Sequence, residues 1–228
     1  VPTVVTSYAE YQQKFGDVFK SGSNSFQFLT SHTAEQYLKN SDTLTIVRIM
    51  DGAYGPATAS VLTSSAAGDI SSLGKSEVSF KLHTLADGTI MNNQTYSGSS
   101  AHQANCVLIS GSKHNIRWEV SNINKKRGTF TLLIRRGDDT YKRKQILETY
   151  NNVTLDPNST NYVLKMVGDQ IQTLRSDENS KPFLQLSGSY PNKSRYVRVS
   201  SVQETVDYLD ENGNVRVNAA SSSLPHSG

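Results

Sequence analysis

Five histidines, one cysteine and several groups of carboxylates are the side chains in this 228-residue chain best able to bind a metal or move a proton. The histidines are His32, His83, His102, His114 and His226. No two of them stand four residues apart in a helical pattern, the spacing that places paired imidazoles on one helix face. His102 and Cys106 are four apart, but they lie in a polar, non-helical stretch with no second pair to complete a tetrahedral set. Cys106 opens an apolar run, where a thiol stays protonated and inert. There is no Gly-x-Ser-x-Gly turn to present a nucleophilic serine. Gly74-Lys75-Ser76 resembles the end of a phosphate loop but lacks the glycine that must precede it. Carboxylates gather at Asp138-Asp139 and from Asp207 to Glu211, in turn-like contexts where aspartate bonds its own backbone. A glycoside hydrolase would need two of them facing each other at about 5–10 Å. The residues therefore predict no catalytic site, no metal and no cofactor.

Binding chemistry is equally sparse. Twenty-three basic residues against twenty acidic ones leave a formal charge of +3. Only the stretch from Lys125 to Lys144 concentrates cations, and it reads as a solvated loop and strand edge rather than a nucleic-acid face. Eleven tyrosines and one tryptophan raise the alternative of a carbohydrate-binding β module. That alternative needs aromatic rings exposed in a row, whereas Tyr8, Tyr11, Tyr37 and Tyr162 fall on predicted buried helix faces. A single cysteine allows no internal disulfide and fits a reducing compartment. No run approaches the roughly 18 apolar residues of a membrane span. Asn93-Gln94-Thr95, Asn152-Val153-Thr154 and Asn158-Ser159-Thr160 match the glycosylation sequon, as chance allows in a chain rich in Asn, Ser and Thr. Val1 stands where a start methionine would, so the chain is expected to be a fragment or a processed product.

The elements that position these residues are clearest near the start. Val4 and Val5 end an extended segment, and Ser7-Tyr8-Ala9-Glu10 reads as a capping box. Tyr8, Tyr11 and Phe15 follow at helical spacing and Gly16 supplies a left-handed stop. A second helix is predicted from near Ser31 and Thr33, burying Ala34, Tyr37 and Leu38 and broken by Asn40-Ser41-Asp42. Leu44–Met50 (LTIVRIM) has the continuous apolar, β-branched pattern of a strand covered on both faces. This segment reads as strand, helix, helix, strand.

From about Thr63 to Ser112 the chain turns polar, with strand-like islands at Val78–Leu82 and Cys106–Ile109. Asn115–Val120, Phe130–Arg136 (FTLLIRR) and Ile146–Tyr150 are further strand candidates, the middle one buried. Asp156-Pro157-Asn158-Ser159 predicts a turn into a helix capped by Ser159, with Tyr162, Val163, Met166 and Val167 on one face and Gly168 closing it. Tyr196–Val199 reads as a strand, and Asn212-Gly213 as a hairpin turn between Thr205–Asp210 and Asn214–Asn218. The final AASSSLPHSG is polar and is predicted to be disordered.

Several of these segments, in order, resemble the tail sheath family of contractile bacteriophages and related injection systems. VPTVVTSYAEYQQKFGD is similar to the family's early extended segment and short helix ending in Phe-Gly, here Phe15 and Gly16. AEQYLKNSDTLTIVRIMDG resembles its helix and buried strand ending in an Arg-Val-like pair, here Arg48 and Ile49, and Ala57–Ala59 is similar to the alanine-rich stretch that follows. LADGTIMNN resembles a Gly-x-x-x-Asn segment, carried by Gly88 and Asn92. GTFTLLIRR and ILETYNNVTLDPNSTNYVLKMVGDQ resemble its strand, acidic segment and Leu-Asp-Pro turn into a helix, carried by Glu148, Leu155, Asp156, Pro157, Ser159, Tyr162 and Val163. Together these pieces cover about half the chain.

The resemblance implies an α+β fold: a mixed α/β sheath-type domain from 1–62 and 113–175, interrupted by a polar, strand-rich β insertion at 63–112. A β-rich segment at 176–218 and a disordered tail at 219–228 would follow. It implies a structural subunit that polymerises around a tail tube and contracts, with other sheath subunits, the tube protein and the baseplate as partners. It involves no nucleic acid and no membrane. Such a subunit resides in the virion tail after assembly in the bacterial cytoplasm. The family's amino-terminal extension and carboxy-terminal domain have no counterpart in the chain, so the chain alone is expected to be monomeric. Low-charge polar surfaces suit sliding and re-pairing, so a large apolar face is not expected.

Overall fold

The structure is a computed structural model that describes residues 2–21, 24–49, 55–63, 77–87, 90–91, 107–108, 116–137, 139–216 and 221–227. It is an α+β molecule made mostly of strands, with three short helices named among the described residues. The amino-terminal part contains β1 (Thr3–Val5), α1 (Tyr8–Phe15), a hairpin of β2 (Val18–Ser21) and β3 (Asn24–Gln27), α2 (Leu29–Leu38) and β4 (Leu44–Ile46). β1 and β4 pair antiparallel, and a small core of Val5, Tyr11, Phe15 and Ala34 lies between them and the helices.

The start of α1 follows from its sequence. Ser7 is extended and its hydroxyl accepts the Glu10 amide at 3.2 Å. The Glu10 carboxylate reaches back one residue further than a capping box requires, to the Thr6 amide at 3.0 Å. Gly16 ends the helix at φ 75° while its amide donates to the Gln12 carbonyl. Its ψ of 178° makes this a positive-φ extended turn rather than a left-handed helical one.

Three expectations for this part need correction. The β2–β3 hairpin lies between the helices, where the sequence reading passed directly from one helix to the next. Helix α2 starts at Leu29, and the Thr33 hydroxyl bonds back to the Leu29 carbonyl instead of capping; Tyr37 faces solvent. The described part of the run, 44–49, is not a covered strand. Only Leu44–Ile46 pair, Val47 is exposed and Ile49 is 99% exposed. A two-stranded ribbon has no second layer, so only alternate side chains, Leu44 and Ile46, find a core.

The main body is built from two three-stranded antiparallel sheets. One has the order β14 (Val197–Ser200), β6 (Val78–Asp87), β5 (Pro56–Leu62). The other has the order β11 (Ile146–Thr154), β10 (Thr129–Arg136), β9 (Ile116–Asn124). Val61, Phe80, Leu82, Val197 and Val199 from the first share one core with Val120, Phe130, Leu132, Ile134 and Val153 from the second. The Phe80 and Phe130 rings stack across it at 5.7 Å. As predicted, FTLLIRR is a central strand with buried residues on both faces. Residues 78–87, expected within the polar insertion, form the middle strand of a core sheet, because Phe80 and Leu82 alternate inward. The short pair β7 (Ile90–Met91) and β8 (Val107–Leu108) is the other described part of that region.

Helix α3 (Val163–Val167) has five residues and begins at Tyr162, not at Ser159. The Asp156 carboxylate accepts the Asn158 amide, and Lys165 donates to the Pro157 and Ser159 carbonyls, so this stretch is held as a turn. Gly168 closes the helix as predicted. Beyond it, β12 (Ile171–Ser176) and β13 (Pro182–Ser187) form a hairpin that the sequence reading did not place. Asn212-Gly213 does turn the chain, and among the described flanking residues the pairing is a single bridge, Leu209 to Val215, while 217–218 of the expected second strand lie outside the described residues.

The carboxy-terminal end corrects another expectation. Among its described residues, Leu224 is only 3% exposed and joins the main core, and the His226 amide donates to the Leu62 carbonyl at 2.7 Å. The apolar Leu224-Pro225 pair, not the serines before it, decides the outcome. Leu224→Ala is expected to lower unfolding free energy by about 2–4 kcal/mol in urea titrations, as for a buried leucine in a packed core.

Candidate functional site

Four cations converge on a cleft of about 480 Å³ between the amino-terminal part and the first core sheet: Lys14, Arg48, Arg195 and Arg198. They come from α1, the segment after β4, the loop before β14, and β14 itself. Thr3, Val4 and Phe15 wall one side, and Thr84, Gln170 and Asn192 another. Arg48 lies over the Phe15 ring, its guanidinium carbon 5.7 Å from the centroid.

Glu10 holds this arrangement together. It is nearly buried and accepts from Lys14 Nζ at 2.9 Å, Arg195 Nη1 at 3.2 Å and the Thr6 amide. Arg195 also donates to Thr6 Oγ1 at 2.8 Å, so one guanidinium joins α1 to the main body. Burial alone would raise the Glu10 pKa, but the Thr6 amide and Lys14 outweigh it and hold the carboxyl below its usual range. Among the described residues no carboxylate lines the cleft itself.

Three neutral side chains of the cleft, Asn192, Thr84 and Ser194, already have partners. Asn192 brackets Gln170, accepting its amide at 3.0 Å and donating to its carbonyl at 2.6 Å. Thr84 Oγ1 donates to the Ala86 carbonyl and accepts the Ala57 amide. Ser194 Oγ donates to Glu148 at 2.6 Å and accepts the Val197 amide. Exposed Tyr37 and Tyr141 belong to separate elements, α2 and the turn after β10.

The residues singled out in the sequence divide between two regions. Phe15, Gly16 and Arg48 meet at or beside the cleft, and Glu148 lies behind it, bonded to Ser194 and the Arg195 amide. Leu155 and Tyr162 are buried in the main core, where the Tyr162 hydroxyl donates to Glu204 at 2.9 Å. Asp156 and Pro157 form the turn beside them. Gly88 and Asn92 lie outside the described residues, as do His102, Cys106, His114 and the Gly74-Lys75-Ser76 segment.

Two polar clusters escaped the sequence reading. His83 sits on the outer face of the first sheet, with Nε2 2.7 Å from Ser200 Oγ and Nδ1 3.0 Å from Thr58 Oγ1. Burial and the nearby Arg198 and Lys81 lower its pKa, favouring neutral imidazole. This resembles a nucleophile and base in distance, but the third group is a hydroxyl rather than a carboxylate. The arrangement cross-links three strands.

In the second sheet, Arg135 donates twice to Asp139, at 2.6 and 2.8 Å, and once to Glu119, which also accepts from Lys144. Burial would raise both carboxyls, yet the cations hold them below their ordinary values, so neither is poised to give up a proton near neutrality. Among the described residues no three His, Cys, Asp or Glu side chains are placed to hold a metal. Comparison with protein-family models, curated proteins and solved structures finds no match to this chain.

Proposed function

We propose that the chain is a structural subunit of a contractile phage tail sheath, working through its contacts with other subunits rather than through bond chemistry. The observation that carries the assembly part of this reading is the β12–β13 hairpin. All twelve of its strand residues are exposed. Leu174 pairs with Leu184 and Gln172 with Leu186, so three leucines share one uncovered face. An isolated two-stranded hairpin is marginal in water, and an apolar face of this kind marks a contact site. This departs from the expected all-polar surface. A leucine face is the kind of surface that stays covered in a lattice.

The sheath identity adds the ordered motifs around Phe15-Gly16, Arg48 and Leu155-Asp156-Pro157. In such a particle the work comes from a difference in interface free energy between two lattices, summed over many copies. The partners are other sheath subunits, the tube and the baseplate, in the virion tail. Expression of the complete reading frame that encodes this chain should give rings or tubes by negative-stain electron microscopy. Leu174→Ser with Leu186→Ser should reduce their yield severalfold. A protein that sediments as a monomer at every concentration would refute the assembly reading.

A further inference from the structure

We propose that the Asn212-Gly213 turn is a self-modification site, where Asn212 converts spontaneously to aspartate and isoaspartate in the folded protein. It is the one Asn-Gly pair in the chain. Asn212 and Gly213 are both exposed, and a Cβ added to Gly213 would meet nothing within 4 Å. Water is the only reactant required. The Gly213 nitrogen loses its proton and attacks the Asn212 Cγ, closing a succinimide ring and expelling ammonia. Water then opens either carbonyl of that ring. One product is aspartate; the other is isoaspartate, whose main chain runs through the former side-chain carbons. Either way a neutral carboxamide becomes a carboxylate.

A second turn in the chain shows what singles this one out. Asp177-Glu178-Asn179-Ser180-Lys181, between β12 and β13, repeats the form of Asp210-Glu211-Asn212-Gly213-Asn214. In each, the leading aspartate Oδ1 accepts the amides two and four residues on, at 2.9 and 2.7 Å. In each, its carbonyl accepts the amide three residues on at 3.0 Å. That last bond restrains the attacking nitrogen equally in both turns and cancels between them. Asn179 is exposed as well. What differs is the residue that attacks, Gly213 at φ 81° against Ser180 at φ 60°. A serine Cβ confines the backbone rotation that carries the nitrogen to Cγ, whereas glycine makes it freely. Isoaspartate at 212 would also insert a carbon between the two amides that Asp210 holds. Leu209 and Val215, which bridge across the turn and pack on the main core, then lose the geometry that pairs them.

The test is prolonged incubation of the whole folded chain at pH 6 and pH 8, with each asparagine followed by peptide mass spectrometry. Methyl transfer by an isoaspartyl methyltransferase marks the isoaspartate. Asn212 should convert about tenfold faster than Asn179 or more, because only its neighbour lacks a Cβ. Conversion should be faster at pH 8 than at pH 6, since the attacking nitrogen must lose a proton. Gly213→Ser should slow Asn212 to about the rate of Asn179. Ser180→Gly, which also relieves a positive φ, should raise Asn179 to about the rate of Asn212. Similar rates at the two asparagines in the wild type, or no acid at 212 after incubation, overturns the proposal. So does an unchanged Asn212 rate in Gly213→Ser or an unchanged Asn179 rate in Ser180→Gly. None of these results bears on whether the protein assembles.

Discussion

Arg135→Ala is expected to destabilise the protein by about 3–5 kcal/mol, the range for removing one partner of a buried ion pair. The Asp139 side chain has no exposed surface, and its two oxygens are met by Arg135 Nε and Nη2. Remaining partners are weaker: the Gln145 amide at 3.1 Å and Arg117 at 3.7 Å. Without the guanidinium, a desolvated carboxylate faces a strand that cannot neutralise it. Arg135→Met with Asp139→Leu should recover much of the loss, since a matched apolar pair removes both buried charges together.

The pH dependence has a definite sign. In the wild type the Asp139 and Glu119 pKa values lie below their unfolded values. Their contribution is therefore complete above the unfolded carboxylate range of about 4 and is lost as pH falls through the folded values. In Arg135→Ala the orphaned Asp139 is raised instead, so the folded state takes up the extra proton and the mutational penalty shrinks on acidification. Urea unfolding of both proteins at pH 7 and pH 4 measures this. An equal penalty at the two values would show that Arg135 acts through packing alone.

Gly168→Ala is the second large effect, about 3 kcal/mol or more. Gly168 has φ 110° and ψ 157°, a region essentially restricted to glycine. An added Cβ would lie 2.3 Å from the Asn192 Cα and 2.7 Å from the Pro191 carbonyl oxygen. Backbone has to move, and the backbone here is bonded: the Val167 carbonyl accepts the Lys193 and Ser194 amides, and the Gly168 carbonyl accepts the Val199 amide. The displaced segment includes Asn192 and Arg195 and leads into Arg198. Thermal melting should show the loss of stability. Gly213→Ala is the control. Its φ is 81°, but nothing lies within 4 Å of the added carbon, so the cost is about 1–2 kcal/mol.

Local features were legible where one side chain or one strand decides them. Ser7 caps α1, Gly16 and Gly168 end helices, and FTLLIRR is central because its residues suit burial on both faces. LTIVRIM has a similar pattern and a different fate, since its pairing partner β1 contributes only three residues and no second layer. Sequence pattern reports that a segment can be buried, not whether anything is there to bury it. Leu224 shows the converse: one leucine in a polar tail is enough when β5 offers a place for it.

The cleft had no local signature. Phe15 and Arg48 had been noticed as motif positions, without any reason to place them together. Lys14 and Arg195 stand 181 positions apart and share Glu10 as a partner. Charges brought together by topology look, in the chain, like scattered surface lysines and arginines. The same holds for His83, whose partners Thr58 and Ser200 come from two other strands.

The Glu10–Arg195 link also sets an order of events during synthesis. A ribosome emits Arg195 185 residues after Glu10, and β6 waits equally for β14 to cover one of its edges. At ordinary elongation rates, β6 is outside on the order of ten seconds before Val199 arrives. Throughout that interval the nascent chain has a half-paired core strand and an unlatched amino-terminal part. Chains cut short before β14 keep that uncovered edge and that missing latch, which leaves them to chaperones and proteases.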